Sequence, residues 1–446
     1  MTELLTLADQ ILAHAGDGEQ LEVVAVKSKD TEIRVYEGDI ESLATAESQG
    51  VGIRVIADDK QGFAYAGSLD MEVILETLTE ARDNATFGTP DEFLGLAEPD
   101  GVDPVELDLY RDVGVADTNA KIDLAKELEQ AAANAEPRIT AVESADYYDG
   151  AYEAAVASTT GIRSASQEST AYVSVSVLAS EGDDTQDGYG FAVGRELADL
   201  DIAKAAADAA DRSTKLLGAK QAPTERLTIV LDPYVAAQFI GIISSTLNGE
   251  MVLKGRSPFA DRVGEAVAAT QVTLVDDPTD PRHFTASAAD GEGIATRRNV
   301  LIDGGELKGF VHNCYTARRA GTATTGSAVR GGFKSTPGVG TRAVSIAPGS
   351  TSRDELIGGI DNGLLVTSVA GLHSGVNPIS GDFSTGASGL RIRNGQLAEP
   401  IREVTIASTL QKMLLDVMTI ADDVEWLPMS ATGVSIAIAD VTMSGS

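Results

Sequence analysis

The fold is decided first by residues 21–66, which have the sequence LEVVAVKSKDTEIRVYEGDIESLATAESQGVGIRVIADDKQGFAYA. Apolar and polar residues alternate here, and such alternation predicts short strands. The predicted strands are Leu21–Val26, Thr31–Tyr36, Glu41–Thr45, Gly52–Ile56 and Gly62–Ala66, and the predicted turns are Glu37-Gly38, Gln49-Gly50 and Asp58-Asp59. Because the connections are short, these strands are expected to form an antiparallel meander.

Helices are predicted on both sides of this meander. Apolar residues at helical spacing indicate an amphipathic helix from Met1 to Gly16 and a second helix from Met71 to Asn84. Residues 87–115 are rich in Pro, Gly and Asp and are predicted to form a connector. A similar block then follows, with a helix at 119–134, strands at 138–147, 151–158, 161–178 and 187–194, and an alanine-rich helix at 201–217. Residues 61–67 resemble residues 187–194, which would fit an old duplication, but aromatic-glycine strands before helices are common and are the favoured interpretation.

Residues 221–224, Gln-Ala-Pro-Thr, predict a domain boundary. The N-terminal α+β domain would span residues 1–222, with sub-blocks at 1–86 and 116–222, and the C-terminal domain residues 223–446. In the second domain a buried strand at 227–231 leads into a helix at 233–247. Glycine then becomes frequent, and the next long helix is predicted only at 404–418. The C-terminal domain is therefore expected to be mostly β with glycine-rich loops, and the fold class to be α+β.

The charge of the chain restricts its partners. Its formal net charge is −34 over 446 residues, and the acidic residues are spread along the sequence. Such a surface repels phosphate backbones and anionic lipids, so nucleic-acid and membrane partners are not expected. The single cysteine, Cys314, excludes an intrachain disulfide, and the N-terminus lacks the basic region of a signal peptide. A cytoplasmic location is expected.

The acidic surface also leads to a prediction about salt. Charge repulsion acts over about 30 Å at about 0.01 M salt but over only about 3 Å at about 1 M. If the surface is adapted to a salt-rich cytoplasm, the melting temperature followed by circular dichroism will rise with ionic strength. A melting temperature that is the same at both salt concentrations would remove the support for this hypothesis.

The histidines do not form a recognisable metal motif. His14, His283, His312 and His373 are never four residues apart, as a helical metal site requires. His312 and Cys314 are two residues apart and are predicted to lie on one side of a strand, but no third ligand is near in sequence. A hydrogen-bonded histidine and an inert thiol are the favoured interpretation. No phosphate-binding P-loop is present.

Two segments carry most of the candidate chemistry. Residues 371–389, GLHSGVNPISGDFSTGASG, bring a histidine, an asparagine, an aspartate and several hydroxyls between glycines. This segment predicts either a ligand-binding loop or a self-bonded polar turn, and a Ser or Thr nucleophile within it stays open. Residues 312–334 contain Arg318, Arg319, Arg330 and Lys334. These basic groups could hold a substrate carboxylate or the acidic surface of a partner subunit, but neutralisation of the chain's own carboxylates is the favoured interpretation.

The same segments resemble the TldD/PmbA peptidase family. Residues 305–321, GELKGFVHNCYTARRAG, followed by TTGS at 324–327, are similar to its YxARxxG…TG signature. Residues 371–389 resemble its H-x-GVN-x-x-GDFSxGASG segment. Residues 390–407, LRIRNGQLAEPIREVTIA, resemble its I-x-NG…P-V-x-E-x-T-I-A run. With the N-terminal meander, the resemblance covers nearly the whole chain.

The resemblance also indicates the branch of the family. The TldD branch carries His-Glu-x-x-x-His on the helix after the first C-terminal strand, where two histidines bind zinc and the glutamate is the general base. Aligned on Gly249-Glu250, these three positions fall at Ile240, Gly241 and Ser245. None of these residues is a plausible ligand or base. The chain therefore resembles the TldE/PmbA branch, which has no zinc site of its own.

This resemblance implies a function shared with a partner. In the family, the metal-free subunit pairs with a TldD-type zinc subunit, and together they enclose a channel for unfolded peptides. No cofactor is expected in this chain, and zinc is expected in the partner. The residues expected to line the channel are His373, Asn377, Ser380, Asp382, Ser384, Arg318 and Arg319. The alternatives are a stand-alone Ser/Thr-type peptidase and a non-enzymatic, homodimeric peptide-binding protein.

Overall fold

The computed structural model describes residues 2–113 and 116–445. Its N-terminal part is one six-stranded antiparallel sheet with strand order β3-β2-β1-β4-β5-β6. The elements are α1 (Glu3–Leu12), β1 (Gln20–Tyr36), β2 (Asp39–Ala57), β3 (Lys60–Ala66), α2 (Met71–Thr86), α3 (Thr118–Asn134), β4 (Ile139–Ser158), β5 (Arg163–Glu181), β6 (Asp184–Gly194) and α4 (Ile202–Thr214). Each half of the sheet therefore consists of a helix, three strands and a second helix.

The predicted antiparallel meander is confirmed, but its strands are longer than predicted. The predicted strands at 21–26 and 31–36 are one strand, β1, and those at 138–147 and 151–158 are one strand, β4. Polar side chains interrupt the alternation in the middle of both strands, yet β1 and β4 pair there without a break. The backbone ladder thus continues where the side chains no longer indicate a buried face.

The turns at Glu37-Gly38 and Asp58-Asp59 are confirmed, and all four residues have positive φ angles. The turn predicted at Gln49-Gly50 is wrong, because both residues lie inside β2. A Cβ atom on Gly50 would lie 2.5 Å from the ring of Phe333 in the C-terminal domain. Glycine is therefore needed here for close packing against another segment, a role that its sequence does not distinguish from a turn.

The helices cover one face of this sheet in two separate cores. Helices α1 and α2 pack through residues such as Leu4 and Ile74 on the apolar residues of β1, β2 and β3. Helices α3 and α4 pack at the other end of the long strands, on residues such as Ile33 and Val175. The opposite face of the sheet is left for the C-terminal domain, and Phe333 packs there on Val24.

The C-terminal part contains a closed barrel. Strands β16-β15-β14-β7-β18-β17 form one sheet, and an additional pairing of β16 with β18 closes it. The elements are β7 (Glu225–Leu231), α5 (Pro233–Thr246), α6 (Gly249–Leu253), β8 (Leu274–Asp276), β9 (Asn299–Asp303), β10 (Glu306–Leu307), α7 (Cys314–Ala320), β11 (Ala328–Val329), β12 (Gly338–Val339), β13 (Val344–Ile346), α8 (Arg353–Gly358), β14 (Asn362–Ala370), α9 (Leu372–Gly375), β15 (Asp382–Arg393), β16 (Gln396–Thr409), α10 (Leu410–Leu415), β17 (Val417–Ile420) and β18 (Ile436–Ser444).

The mostly β character of this part and the α+β class are confirmed. The long helix predicted at 404–418 is wrong, because residues up to Thr409 belong to β16 and only Leu410–Leu415 are helical. Pairing of β16 with both β15 and β18 outweighs the helical spacing of its apolar residues. Among the described residues, no helix has the length and hydropathy needed to cross a membrane.

Candidate functional site

Helix α5 carries Ile240, Gly241 and Ser245, the three positions that the family resemblance aligns with the zinc motif. Asp232 caps the helix by accepting a hydrogen bond from the amide of Val235 at 2.9 Å. Ile240 is fully buried in the main C-terminal core. Gly241 and Ser245 lie one helical turn apart on the outer side, and the space beside Gly241 is open. Ser245 Oγ donates to the carbonyl of Ile242 at 2.7 Å, as helical serines commonly do.

These three residues do not fit a zinc ion. Zinc in proteins takes nitrogen, sulfur or oxygen ligands in a tetrahedral arrangement. Ile240 and Gly241 have no ligand atom, and the hydroxyl of Ser245 is a poor ligand that is already bonded to the helix backbone. Within residues 2–113 and 116–445, no group of three or more His, Cys, Asp or Glu side chains is placed to hold a metal.

Part of the 371–389 segment is a self-bonded turn. The side-chain oxygen of Asn377 accepts the amides of Ile379 at 2.9 Å and Ser380 at 3.3 Å. Ser380 Oγ donates to the Asp382 carboxylate at 2.7 Å. The structure therefore brings Asn377, Ser380 and Asp382 together, and most of their polar groups bond each other at the surface.

His373 and Ser384 lie on either side of this turn. His373 is exposed on α9, and Ser384 is exposed near the start of β15. The neighbouring Ser374 Oγ donates to the carbonyl of Gly371 at 3.2 Å. Among the described residues, no hydrogen bond joins a hydroxyl of this segment to a histidine, so these residues form no preassembled serine–histidine pair.

Arg318 and Arg319 lie on α7. The guanidinium of Arg318 donates to the carbonyls of Gly95 at 2.9 Å and Leu96 at 2.5 Å. It thus holds the connector of the N-terminal domain against the C-terminal domain. Arg319 lies near the rings of Phe93 and Tyr315. The structure places both arginines in the contact between the domains.

His312 and Cys314 do not share a strand, so that prediction is wrong. Asn313 caps α7, and Cys314 is the first residue of that helix. His312 Nδ1 lies 3.2 Å from the hydroxyl of Thr316, and burial lowers the pKa of the imidazole. Burial also raises the pKa of the Cys314 thiol, which disfavours a reactive thiolate.

Two surface clefts lie in the N-terminal domain. The first has a volume of about 510 Å³ and is lined by residues such as Lys27 and Tyr110. The second, of about 640 Å³, lies around the connector residues Thr89–Leu94. Neither cleft contains a residue that the sequence nominated for the site.

A buried ionic cluster joins the two domains, and the sequence did not predict it. Glu22 of β1 accepts hydrogen bonds from Arg54 of β2 at 2.7 and 3.1 Å. The same carboxylate accepts a hydrogen bond from Arg330 of the C-terminal domain at 2.6 Å. Glu292, also of the C-terminal domain, lies 3.8 Å from Arg54. All four side chains are at most 6% exposed.

The cluster determines the charge state of the Glu22 carboxyl. Burial opposes the ionisation of Glu22, but the guanidinium groups of Arg54 and Arg330 outweigh it and hold the pKa of the Glu22 carboxyl below its usual range. Glu292 extends the cluster by accepting the amide of Cys314, the first residue of α7, at 2.9 Å. The ionic cluster thus also fixes the start of the helix that carries Arg318.

Asp290 lies next to this cluster, but its pKa is raised, whereas that of Glu22 is lowered. Its carboxylate accepts the amides of Glu292 at 2.9 Å, Ile294 at 3.0 Å and Ala328 at 3.0 Å. Burial, together with the charge of Glu292, nevertheless raises the pKa of Asp290 to about 7. This carboxyl therefore titrates near neutral pH, inside the contact between the domains.

A sequence signal for the cluster did exist. Glu22 and Arg54 are single charged residues within otherwise apolar parts of β1 and β2. Such residues are seldom buried unless they are paired. The sequence could have nominated each of them as buried, but it could not have shown that Arg330, more than 300 residues away from Glu22, completes the pair.

Comparison with known proteins assigns the family. Three family models match the chain. The PmbA/TldA metallopeptidase domain 1 matches residues 21–85, the central domain matches residues 111–217, and the C-terminal domain matches residues 224–445. The chain belongs to the PmbA/TldD metallopeptidase family. It is 27% identical to the metalloprotease PmbA of Escherichia coli O157:H7, over 95% of this chain and 92% of that protein. It is 26% identical to the PmbA homologue of Haemophilus influenzae, over 100% and 96%.

Solved structures share the fold. TldE from Thermococcus kodakarensis superposes with a TM-score of 0.88 at 25% identity, covering 99% of each chain. A protein of Thermotoga maritima that is described as a modulator of DNA gyrase superposes with a TM-score of 0.90. Its identity is 24%, over 98% of this chain and 99% of that chain, and it supports the fold alone.

Replacing one partner of the buried cluster tests its role. Glu22→Gln keeps the side-chain size but leaves Arg54 and Arg330 without their shared counter-ion. We expect the free energy of unfolding to fall by about 3–5 kcal/mol in urea denaturation. The matched control is Glu3→Gln, whose carboxylate pairs with Lys27 at the surface and should change the free energy of unfolding far less. Equal effects of the two substitutions would contradict the assigned role.

Asp290 predicts a dependence of stability on pH. Its pKa is raised from 3.8 to about 7 on folding, so the folded state binds the proton more tightly. Its contribution to stability therefore falls as pH rises through this window, by up to about 1.4 kcal/mol per pH unit. In urea denaturation, Asp290→Asn should lose less stability than the wild type between about pH 4 and about pH 7. The exposed control Asp303→Asn should follow the wild type, and an unchanged slope in Asp290→Asn would contradict the prediction.

Proposed function

We propose that this chain is the non-catalytic subunit of a heteromeric zinc peptidase that degrades or processes unfolded peptides. The observation that carries the proposal is the identity and packing of three residues on helix α5. At the positions of the family's zinc motif, Ile240 is packed in the core, and Gly241 and Ser245 offer neither a zinc ligand nor a general base. A TldD-type partner would supply the zinc, and no cofactor is proposed for this chain.

The relatives support this proposal in two ways. The similarity to the metalloprotease PmbA of E. coli and to TldE of T. kodakarensis extends over nearly the full length of all three proteins. Membership of a metallopeptidase family, combined with the lack of a suitable zinc ligand at Ile240, Gly241 and Ser245, favours division of labour between subunits. One subunit would cleave, and this one would complete the enclosure around the peptide.

The 371–389 segment is the proposed lining of that enclosure. His373, Asn377, Asp382 and Ser384 are exposed there. The turn 377–381 is held by its own hydrogen bonds, so it can present backbone groups to an extended peptide without rearranging. Recognition through backbone groups is largely independent of peptide sequence, which suits an unfolded substrate. Arg318 and Arg319 support the domain contact and are not proposed to bind substrate.

The alternatives have less support. A stand-alone Ser/Thr-type peptidase would need an activated hydroxyl, and Ser374 Oγ donates to a backbone carbonyl instead. A homodimeric peptide-binding protein would bring two chains of net charge −34 together without a basic counterpart. A cytoplasmic location is part of the proposal.

The proposal is tested by reconstitution. The chain is purified alone and with the TldD-type protein of the same genome, and cleavage of an unfolded peptide is measured with and without a chelator. We expect cleavage by the pair only, and its loss when the partner's motif glutamate is replaced by glutamine. Cleavage by the isolated chain that resists chelator but is lost in Ser374→Ala would contradict the proposal and favour the serine peptidase.

A further inference from the structure

The outer edge of β2 is open over much of its length. Residues 51–57 of β2 pair with β3, whereas residues 39–50 pair only with β1 on their inner side. From Ser42 to Gly50 the ladder with β1 is regular, after a register shift at Arg34/Val35. We call residues 42–49 the open edge. At about 3.4 Å per residue it extends for about 27 Å, enough for a partner strand of ordinary length.

Every residue of the open edge is exposed. Alternate residues of an edge strand direct their N–H and C=O groups away from the sheet. In the described parts of the chain, no backbone hydrogen bond other than those to β1 involves residues 42–49. Proteins usually protect such edges with proline, lysine or a bulge. The open edge contains no proline or lysine, and it exposes Leu43 by 45%.

The equivalent edge in the second half of the sheet is contacted by its own chain at Ser169. There, β5 extends beyond β6 as β2 extends beyond β3. The backbone amide of Ser169 donates to the carbonyl of Leu109 in the connector at 3.0 Å, and Arg195 donates to the carbonyl of Ser169 at 2.9 Å. The chain's own connector thus reaches this edge at Ser169, whereas within the described residues no segment reaches the open edge of β2.

Charge indicates what would cover the open edge. Asp39, Glu41 and Glu47 are the charged residues of the unpaired part of β2, and none is basic. Glu47 pairs with Lys29, and Glu41 lies 3.9 Å from Arg34. A second copy, also of net charge −34, would still bring another acidic surface against this edge. A neutral or basic strand of a different chain would meet no such repulsion.

We propose that residues 42–49 of β2 are the strand-pairing surface for the zinc-bearing partner subunit, which adds a neutral or basic strand to the N-terminal sheet. This inference rests on the proposed function and assigns it an interface. Main-chain hydrogen bonds provide the affinity, and Leu43 packs against a side chain of the added strand. The N-terminal sheet then continues from one subunit into the other.

The test is hydrogen–deuterium exchange of the chain alone and in complex with the TldD-type protein of the same genome. We expect the partner to protect about half of the amides of residues 42–49, because alternate amides already bond to β1. The double variant Leu43→Lys/Glu47→Lys should weaken the complex at least tenfold in a titration and abolish that protection.

A matched control is available in the barrel. Leu397 is 44% exposed, and the exposed Glu399 pairs with Arg393 as Glu47 pairs with Lys29. Leu397→Lys/Glu399→Lys therefore makes the same chemical change away from the open edge and should leave the complex intact. Circular dichroism of both variants verifies that the fold is retained.

Each other outcome has a separate meaning. A complex that forms without protection of residues 42–49 overturns the interface and leaves the proposed function standing. Protection that grows with the concentration of the isolated chain shows that a second copy is the occupant, and protection by an unstructured synthetic peptide alone shows that substrate is. Both results overturn the choice of partner. No complex at all overturns the proposed function, and this inference with it.

Discussion

The fold depends on one buried carboxylate shared by two domains. Glu22 lies in the first strand of the sheet and accepts hydrogen bonds from Arg54 beside it and from Arg330 of the C-terminal domain. Removing these charges from water is costly, and only their mutual pairing compensates for it. Phe333, three residues after Arg330, then packs on the sheet where Gly50 and Gly52 leave room. The ionic cluster and this aromatic contact together set how the barrel lies against the sheet.

Much of the architecture could be predicted from the sequence, because it depends on local patterns. Alternation indicated the meander, two turns with positive φ were located correctly, and the helix at 233–247 differs from α5 by one residue. The ends of the strands were harder to predict, because β1 and β4 continue through polar residues that only pairing with the neighbouring strands keeps extended. The same non-local pairing makes residues 404–409 a strand.

The candidate site was predictable only where a motif carries it. The aligned positions Ile240, Gly241 and Ser245 were found through the family resemblance, and the structure shows that one faces the core and two face outward. Arg318 and Arg319 were chosen for their charge; Arg318 donates to the connector some 220 residues earlier in the chain, and the exposed Arg319 contacts Phe93 of the connector and Tyr315 of its own helix. Contacts over such a separation leave no spacing in the sequence. The open edge of β2 could not be predicted from the sequence either, because it exists only where β2 extends beyond the shorter β3.

We propose that these features describe a subunit that supports a reaction carried out by its partner. Helix α5 is intact as a structural element, but Ile240 and Gly241 have no ligand atom, and within the described residues no strand pairs with the outer edge of residues 42–49. Native mass spectrometry of the purified complex with the TldD-type protein tests this account most directly, because it counts metal ions per subunit. The account predicts one zinc for each pair and none on this chain after mild dissociation. Zinc retained stoichiometrically by this chain would contradict it.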